Sequence, residues 1–170
     1  MVTTPATGAG EPLVVLLCGV AGSGKTTYAQ RLESQGHVRL SVDEEVWRRS
    51  GRYGIDYDES EYAALSRIAE EALEARLLDL VADGRDVVVD LSLWRRSSRE
   101  HWKRLVESAG GRWRLVHLEA EPEVLRRRLA ERAQRSDANA FPVTDQLLDG
   151  FLAGFEVPHG EGEEVVRALR

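Results

Sequence analysis

The sequence predicts a three-layer α/β/α domain built on a five-stranded parallel sheet, and three observations carry that prediction. The runs "LVVLLC" (Leu13–Cys18) and "DVVVDL" (Asp86–Leu91) are continuous and apolar, the pattern of strands buried on both faces. Longer stretches with helical spacing alternate with such runs, as strand–helix–strand crossovers require. The 170 residues show no internal repeat and no linker, so residues 13–170 read as a single domain.

Taken in order, residues 1–12 are rich in Thr, Gly, Ala and Pro and read as a disordered leader. Strand one, Leu13–Cys18, leads through a glycine-rich turn into a helix from Lys25 to about Gln35. "HVRLS" forms a second strand ending at Ser41, followed by a short helix over Asp43–Ser50 and a loop, Gly51–Asp58, with two glycines and two tyrosines. A long helix is predicted over Glu59–Ala82, with Tyr62, Leu65, Ile68, Ala72, Ala75, Leu78 and Val81 as its apolar face and Gly84 closing it. The third strand is Asp86–Leu91, and a helix over Ser97–Ala109 stops at Gly110-Gly111. "WRLVHLE" is the fourth strand; Pro122 opens a helix running to about Arg135, since proline suits the first turn. A polar segment, Ser136–Pro142, precedes a helix over Thr144–Gly154, and "EEVVRAL" is the fifth strand.

Hydrophobic residues at 42% and charged residues at 31% fit a water-soluble globular chain and argue against a disordered or membrane protein. Leu13–Cys18 is too short to span a bilayer, and Met1–Pro12 carries no Lys or Arg to make a basic targeting leader. A lone Cys18 precludes an internal disulfide, fits a cytoplasmic location and reads as a core residue. The net charge of −6 disfavours nucleic acid as the main partner. A monomer or homodimer is expected. Of 23 basic residues only Lys25 and Lys103 are lysines, which singles out the position of Lys25.

That position lies in "GVAGSGKTT", Gly19–Thr27, directly after strand one. The spacing Gly19-x-x-x-x-Gly24-Lys25-Thr26 is the phosphate-binding P-loop pattern. Gly19, Ala21, Gly22, Ser23, Gly24 and Thr27 supply a backbone whose N–H groups can surround an anion, with the helix N-terminus behind it. Lys25 is placed to reach the β- and γ-phosphates of ATP, and the Thr26 hydroxyl to ligate Mg²⁺.

Other candidates fall where strands two to four end, the edge at which such sheets bind ligands. Asp43, in "LSVDEEVW", either takes the proton of an acceptor hydroxyl or serves as an N-cap or first-turn acid of the short helix; Glu44 and Glu45 read as solvated first-turn acids. Asp90, closing "VVVD", either orients Mg²⁺ or begins a turn, and which of Asp43 and Asp90 is the base stays open. Ser92 either touches substrate or starts that turn, and Arg99 is expected to face the cleft. Arg128 and Arg132 share a helical face, joined by Arg135, either as a phosphate clamp in a lid over residues 126–142 or as a surface helix paired with Glu123 and Glu131. Trp47 and Trp94 are expected at a pocket, Trp102, Trp113 and His117 in the core, and the four histidines show no metal spacing.

With "GVAGSGKTT", "LSVDEEVW", "VVVDLSLWRRSSREHW", "LVHLEAEPEVLRRRLAER" and "NAFPVTDQLLDGFLAGFEVP" in this order, the chain resembles the small P-loop kinases related to polynucleotide 5′-hydroxyl kinase, zeta toxins and chloramphenicol phosphotransferase, often labelled AAA-type ATP-binding proteins. The resemblance runs from about Leu13 to Ala168 and implies the P-loop kinase fold with ATP and Mg²⁺ as cofactors. It implies Asp43 as general base, Lys25 and Thr26 as phosphate and metal ligands, and Arg128 and Arg132 as lid arginines. Polynucleotide kinases typically carry an arginine three residues after that aspartate and a Thr-Asn pair after strand three; here Val46 and Ser92-Leu93 stand there. The expectation is therefore transfer of the γ-phosphate to a hydroxyl of a small acceptor. The alternatives are a polynucleotide 5′-hydroxyl kinase and a non-catalytic nucleotide-binding module. A guanine-specifying Asn/Thr-Lys-x-Asp is absent, which disfavours a GTPase.

Overall fold

The computed structural model describes residues 10–138 and 142–167. Residues 1–9 of the predicted leader 1–12 therefore lie outside the described residues, as do residues 139–141 of the polar segment Ser136–Pro142. The elements are β1 (Leu13–Cys18), α1 (Lys25–Ser34), β2 (Val38–Ser41), α2 (Val42–Ser50), a 3₁₀ turn (Glu59–Glu61), α3 (Tyr62–Ala82), β3 (Val87–Asp90), α4 (Arg96–Ser108), β4 (Arg112–Glu119), α5 (Pro122–Arg132), α6 (Asp145–Gly154) and β5 (Glu163–Arg167).

The five strands pair in the order β2-β3-β1-β4-β5, all parallel. β1 is central, and its side chains alternate between two cores. Val14, Leu16 and Cys18 face α3 and α4, meeting Leu73, Leu77, Trp102 and Val106, whereas Val15 and Leu17 face Ala29 and Leu32 of α1. That double burial is why the run is apolar throughout. A smaller core of Leu125, Leu129 and Leu148 joins α5 to α6 and takes in Val20 and Ala21 of the P-loop.

Strand order decides where a ligand can go. From β1 the chain crosses to β2 and β3 on one side, then to β4 and β5 on the other, so the crevice opens beyond the carboxyl end of β1. β2 and β3 run in register to their ends, with Ser41 opposite Asp90, which brings the residues following β2 next to Asp90.

Three local expectations are corrected. The buried face of α3 is Ala69, Leu73, Leu77 and Val81, an i+4 row, and Ile68 and Leu78 are exposed. The helix is apolar enough on several sides that spacing alone does not choose the face; packing against β3 and α4 does. α5 ends at Arg132 because the next amides turn back in short i−3 bonds, Gln134 to Glu131 and Arg135 to Arg132. Arg135 therefore leaves the helical row of Arg128 and Arg132. Glu45 is buried and paired with Arg48 and Arg49 along α2, not solvated.

Candidate active site

The P-loop closes over the end of β1. Gly24, with φ +100°, caps α1 in the left-handed region, and Gly19 passes so close to β4 that a Cβ there would lie 2.6 Å from the Leu118 carbonyl oxygen. The Gly19 N–H donates to the Ser92 carbonyl at 3.1 Å, tying the loop to the turn after β3. Lys25 Nζ donates to the loop's own carbonyls, Gly19 at 2.9 Å and Val20 at 3.0 Å. Burial pulls the Lys25 ammonium below its ordinary value, opposed first by Asp90 and then by Asp43.

Asp90 is buried at the end of β3, where Arg39 Nη1 donates to its Oδ2 at 3.1 Å and Thr26 is close enough to favour its charged form. Burial pushes its carboxyl upward, and Lys25 and Arg39 counter that. Arg39 is itself buried on β2 and also meets Glu33 and Glu44. An arginine inside a sheet strand needs such partners, and that is the signal by which it could have been picked out as the residue that positions Asp90.

Asp43 is a first-turn acid of α2, the position that its structural alternative allows. Ser41, not Asp43, caps that helix, its hydroxyl accepting from the Glu44 N–H. Asp43 instead accepts a hydrogen bond from Tyr62 Oη at 2.7 Å. From the other side Arg132, whose guanidinium burial shifts downward, has Asp43 as its first opposing charge.

Three cavities make up the cleft. One of about 770 Å³ runs along Ser23–Tyr28 of the P-loop and the arginines Arg128, Arg132 and Arg135. Arg128 Nη1 leans back onto the Gly22 and Ser23 carbonyls at 3.4 Å. The second, about 330 Å³, is walled by Trp47, Tyr53, Tyr57 and Tyr62, with Asp43 in its lining. The third, about 560 Å³, lies between them, bordered by Arg39, Arg48, Arg76 and Arg135.

The structure thus brings Lys25, Thr26, Asp43, Asp90, Arg128 and Arg132 to one cleft, and Trp47 joins them. Arg99 does not: it is fully buried, its guanidinium bidentate to Glu161 at 2.7 and 2.8 Å and donating to the Leu93 carbonyl. It faces the C-terminal loop because Glu161 is the partner that compensates its buried charge. Ser92 is exposed and reaches the loop through its carbonyl, while Trp94 covers Gly154 outside these cavities. Cys18, Trp102 and His117 are buried as expected; Trp113 is partly buried against the same core. Sequence reading missed Tyr62 as Asp43's partner and the Tyr53–Tyr57 pair as a wall, since neither contact has a spacing rule.

A family model described as "AAA domain" (AAA_33) matches residues 14–158. Among solved structures, a candidate kinase from Chloroflexus aurantiacus superposes with a TM-score of 0.72 at 16% identity, covering 93% of this chain and 85% of the other. A gluconokinase from Sinorhizobium meliloti gives 0.59 at 25% identity over 94% and 85%. A chain of the Pnkp1/Rnl/Hen1 RNA repair complex gives 0.70 at 17% identity, with 89% of this chain on 46% of that one. No helix among the described residues is long and apolar enough to cross a membrane.

Proposed function

Since the chain belongs to this AAA domain family and carries a kinase-type nucleotide-binding fold, we propose that it is an ATP-dependent phosphotransferase acting on a hydroxyl of a small molecule. The observation that carries this reading is the position of Asp43. It lines the aromatic cavity, and its charge is felt by Lys25 and Arg132, which line the P-loop groove. An acceptor in the smaller cavity has a carboxylate beside it and the triphosphate groove beyond.

The residues supply each part of the transfer. Lys25 exchanges its contacts to the Gly19 and Val20 carbonyls for the β- and γ-phosphate oxygens, a swap of neutral for charged acceptors. Asp43 takes the acceptor hydroxyl's proton as the oxygen–phosphorus bond forms and the bond from the γ-phosphorus to the bridging oxygen breaks, leaving ADP. Arg128 and Arg132 supply fixed charge along the transferring group. The oxygen donor set of Thr26 and Asp90, near neighbours at the ends of the P-loop and β3, fits Mg²⁺, a hard cation that takes the rest of its shell from phosphate and water. When bound there, that ion would neutralise charge on the phosphate oxygens.

A small acceptor is favoured over a polynucleotide end by the cavity of about 330 Å³ and by Val46, which is buried and offers no cation for a terminal phosphate. The test is ADP formation with Mg·ATP across neutral sugars, amino sugars and 5′-hydroxyl oligonucleotides, with the phosphate ester identified by mass. Stimulation by the oligonucleotides alone would reverse the acceptor class. ATP binding without transfer to any acceptor would leave a binding module.

A further inference from the structure

We propose that the aromatic cavity is a cage for a cation, so that the acceptor is a small alcohol bearing a charged amine; this rests on the phosphotransferase reading above. The shape is the first argument. Tyr53 stands edge-on to Tyr57, 83° between planes at 6.1 Å, and to Tyr62, 85° at 5.6 Å, and Trp47 lines the same space. A flat ligand needs parallel walls to stack between. Tyr53 packs at right angles on both neighbours, so the wall offers ring edges and faces in different directions instead of two parallel plates, and a compact ammonium group suits such a lining better than a flat ring does.

Charge is the second argument. Two carboxylates line it, Asp43 and Glu59: Asp43 accepts from Tyr62, a neutral donor that fixes a carboxylate without cancelling it, and Glu59 is close enough to Tyr53 to push its phenol upward. The guanidiniums in the same lining are matched by acids. Arg52 is held by Asp56, at 3.0 Å from its Nε and 2.7 Å from its backbone N–H, and Arg135 Nε meets Asp137 at 2.7 Å. Arg132 approaches Asp43 from the nucleotide groove, where phosphate would engage it. The phenols register the same field: Tyr53, Tyr57 and Tyr62 are pushed up by burial first and then by carboxylates, Glu59 for Tyr53 and Asp43 for the other two.

The experiment uses shape-matched pairs that differ in charge, choline against 3,3-dimethylbutan-1-ol and glucosamine against glucose. Binding to the full chain is read by calorimetry without nucleotide. The cationic member of each pair should bind about tenfold tighter or more. Tyr53→Leu should bring the pair close to parity, Tyr53→Phe should keep the preference, and Glu59→Gln should reduce it. Thermal stabilisation of each variant by Mg·ATP checks that the nucleotide groove is intact. Neutral members that bind as well as their cationic partners overturn the cage, and so does a preference that survives both Tyr53→Leu and Glu59→Gln. The two readings fail separately: transfer only to neutral alcohols removes the cage and keeps the phosphotransferase. Selective amine binding without transfer to any acceptor keeps the cage and removes the phosphotransferase.

Discussion

Tyr62 Oη donates to Asp43 Oδ1 at 2.7 Å, joining the first turn of α3 to the first turn of α2. With Ser41 serving as the helix cap, Asp43 is spared that task and its rotamer is set by a phenol at the wall of the small cavity. Asp43→Asn keeps the shape but cannot take a proton at neutral pH. Turnover should fall by roughly 10²–10⁴-fold, the usual share of a positioned base, with Mg·ATP affinity nearly unchanged. Wild-type turnover in that variant would leave Asp43 a first-turn acid of α2 with no part in proton transfer.

Lys25→Ala and Thr26→Ala should leave the fold intact, since the Lys25 ammonium hydrogen-bonds to carbonyls of the loop and not to core groups, and Thr26 borders the groove. Saturating Mg·ATP at 100 times the dissociation constant should stabilise the wild type by about 2.7 kcal/mol, and both variants should show less. Thermal melting with and without nucleotide reads this directly. Equal shifts in all three proteins would take the P-loop out of nucleotide binding.

Closure over bound nucleotide should be confined to the chain after Arg132. α5 is already anchored by Leu125 and Leu129 against Leu148, and Arg126 reaches Asp149 at 3.0 Å, whereas residues 133–136 are mostly exposed. Amide exchange in peptides covering 133–138 should slow when a non-hydrolysable ATP analogue is added, and that in 122–130 should change little. Unchanged protection after Arg132 would make Arg135 an ordinary surface charge.

The Arg99–Glu161 pair should act on stability and not on nucleotide binding. Removing one charge of a buried pair costs about 3–5 kcal/mol, so Glu161→Gln should unfold at markedly lower urea at neutral pH. The Arg99 guanidinium, by hydrogen bonding, holds the Glu161 carboxyl below its usual range. A carboxyl depressed in the folded state stabilises above its unfolded value and loses that contribution as pH falls through the folded one. The gap between wild type and Glu161→Gln should therefore narrow as the solution is acidified below the carboxylate range. A gap independent of pH would mean that Glu161 contributes by packing alone.

How much was legible in the sequence differs between elements for physical reasons. β1 and β3 could be read because burial on both faces forces an unbroken apolar run, and the P-loop because phosphate binding needs glycine, lysine and threonine at fixed local intervals. The face of α3 could not, since several of its sides are apolar enough to pack and only the neighbouring elements choose one. Arg99 shows the same limit from the charged side: nothing within "RRSSREHW" foretells that its partner is Glu161, sixty-two residues on.

By itself the sequence determined the layer order of the domain, the phosphate loop and the acids at the strand ends, because each of these is set by interactions between residues close in the chain. Only the tertiary structure decided that Ser41 caps α2 and Tyr62 takes Asp43, that Arg39 meets Asp90, and that Tyr53 stands at right angles to both Tyr57 and Tyr62 beside a cavity. Most of those contacts join side chains brought together by sheet register and helix packing, and for such pairs sequence separation carries no geometric information.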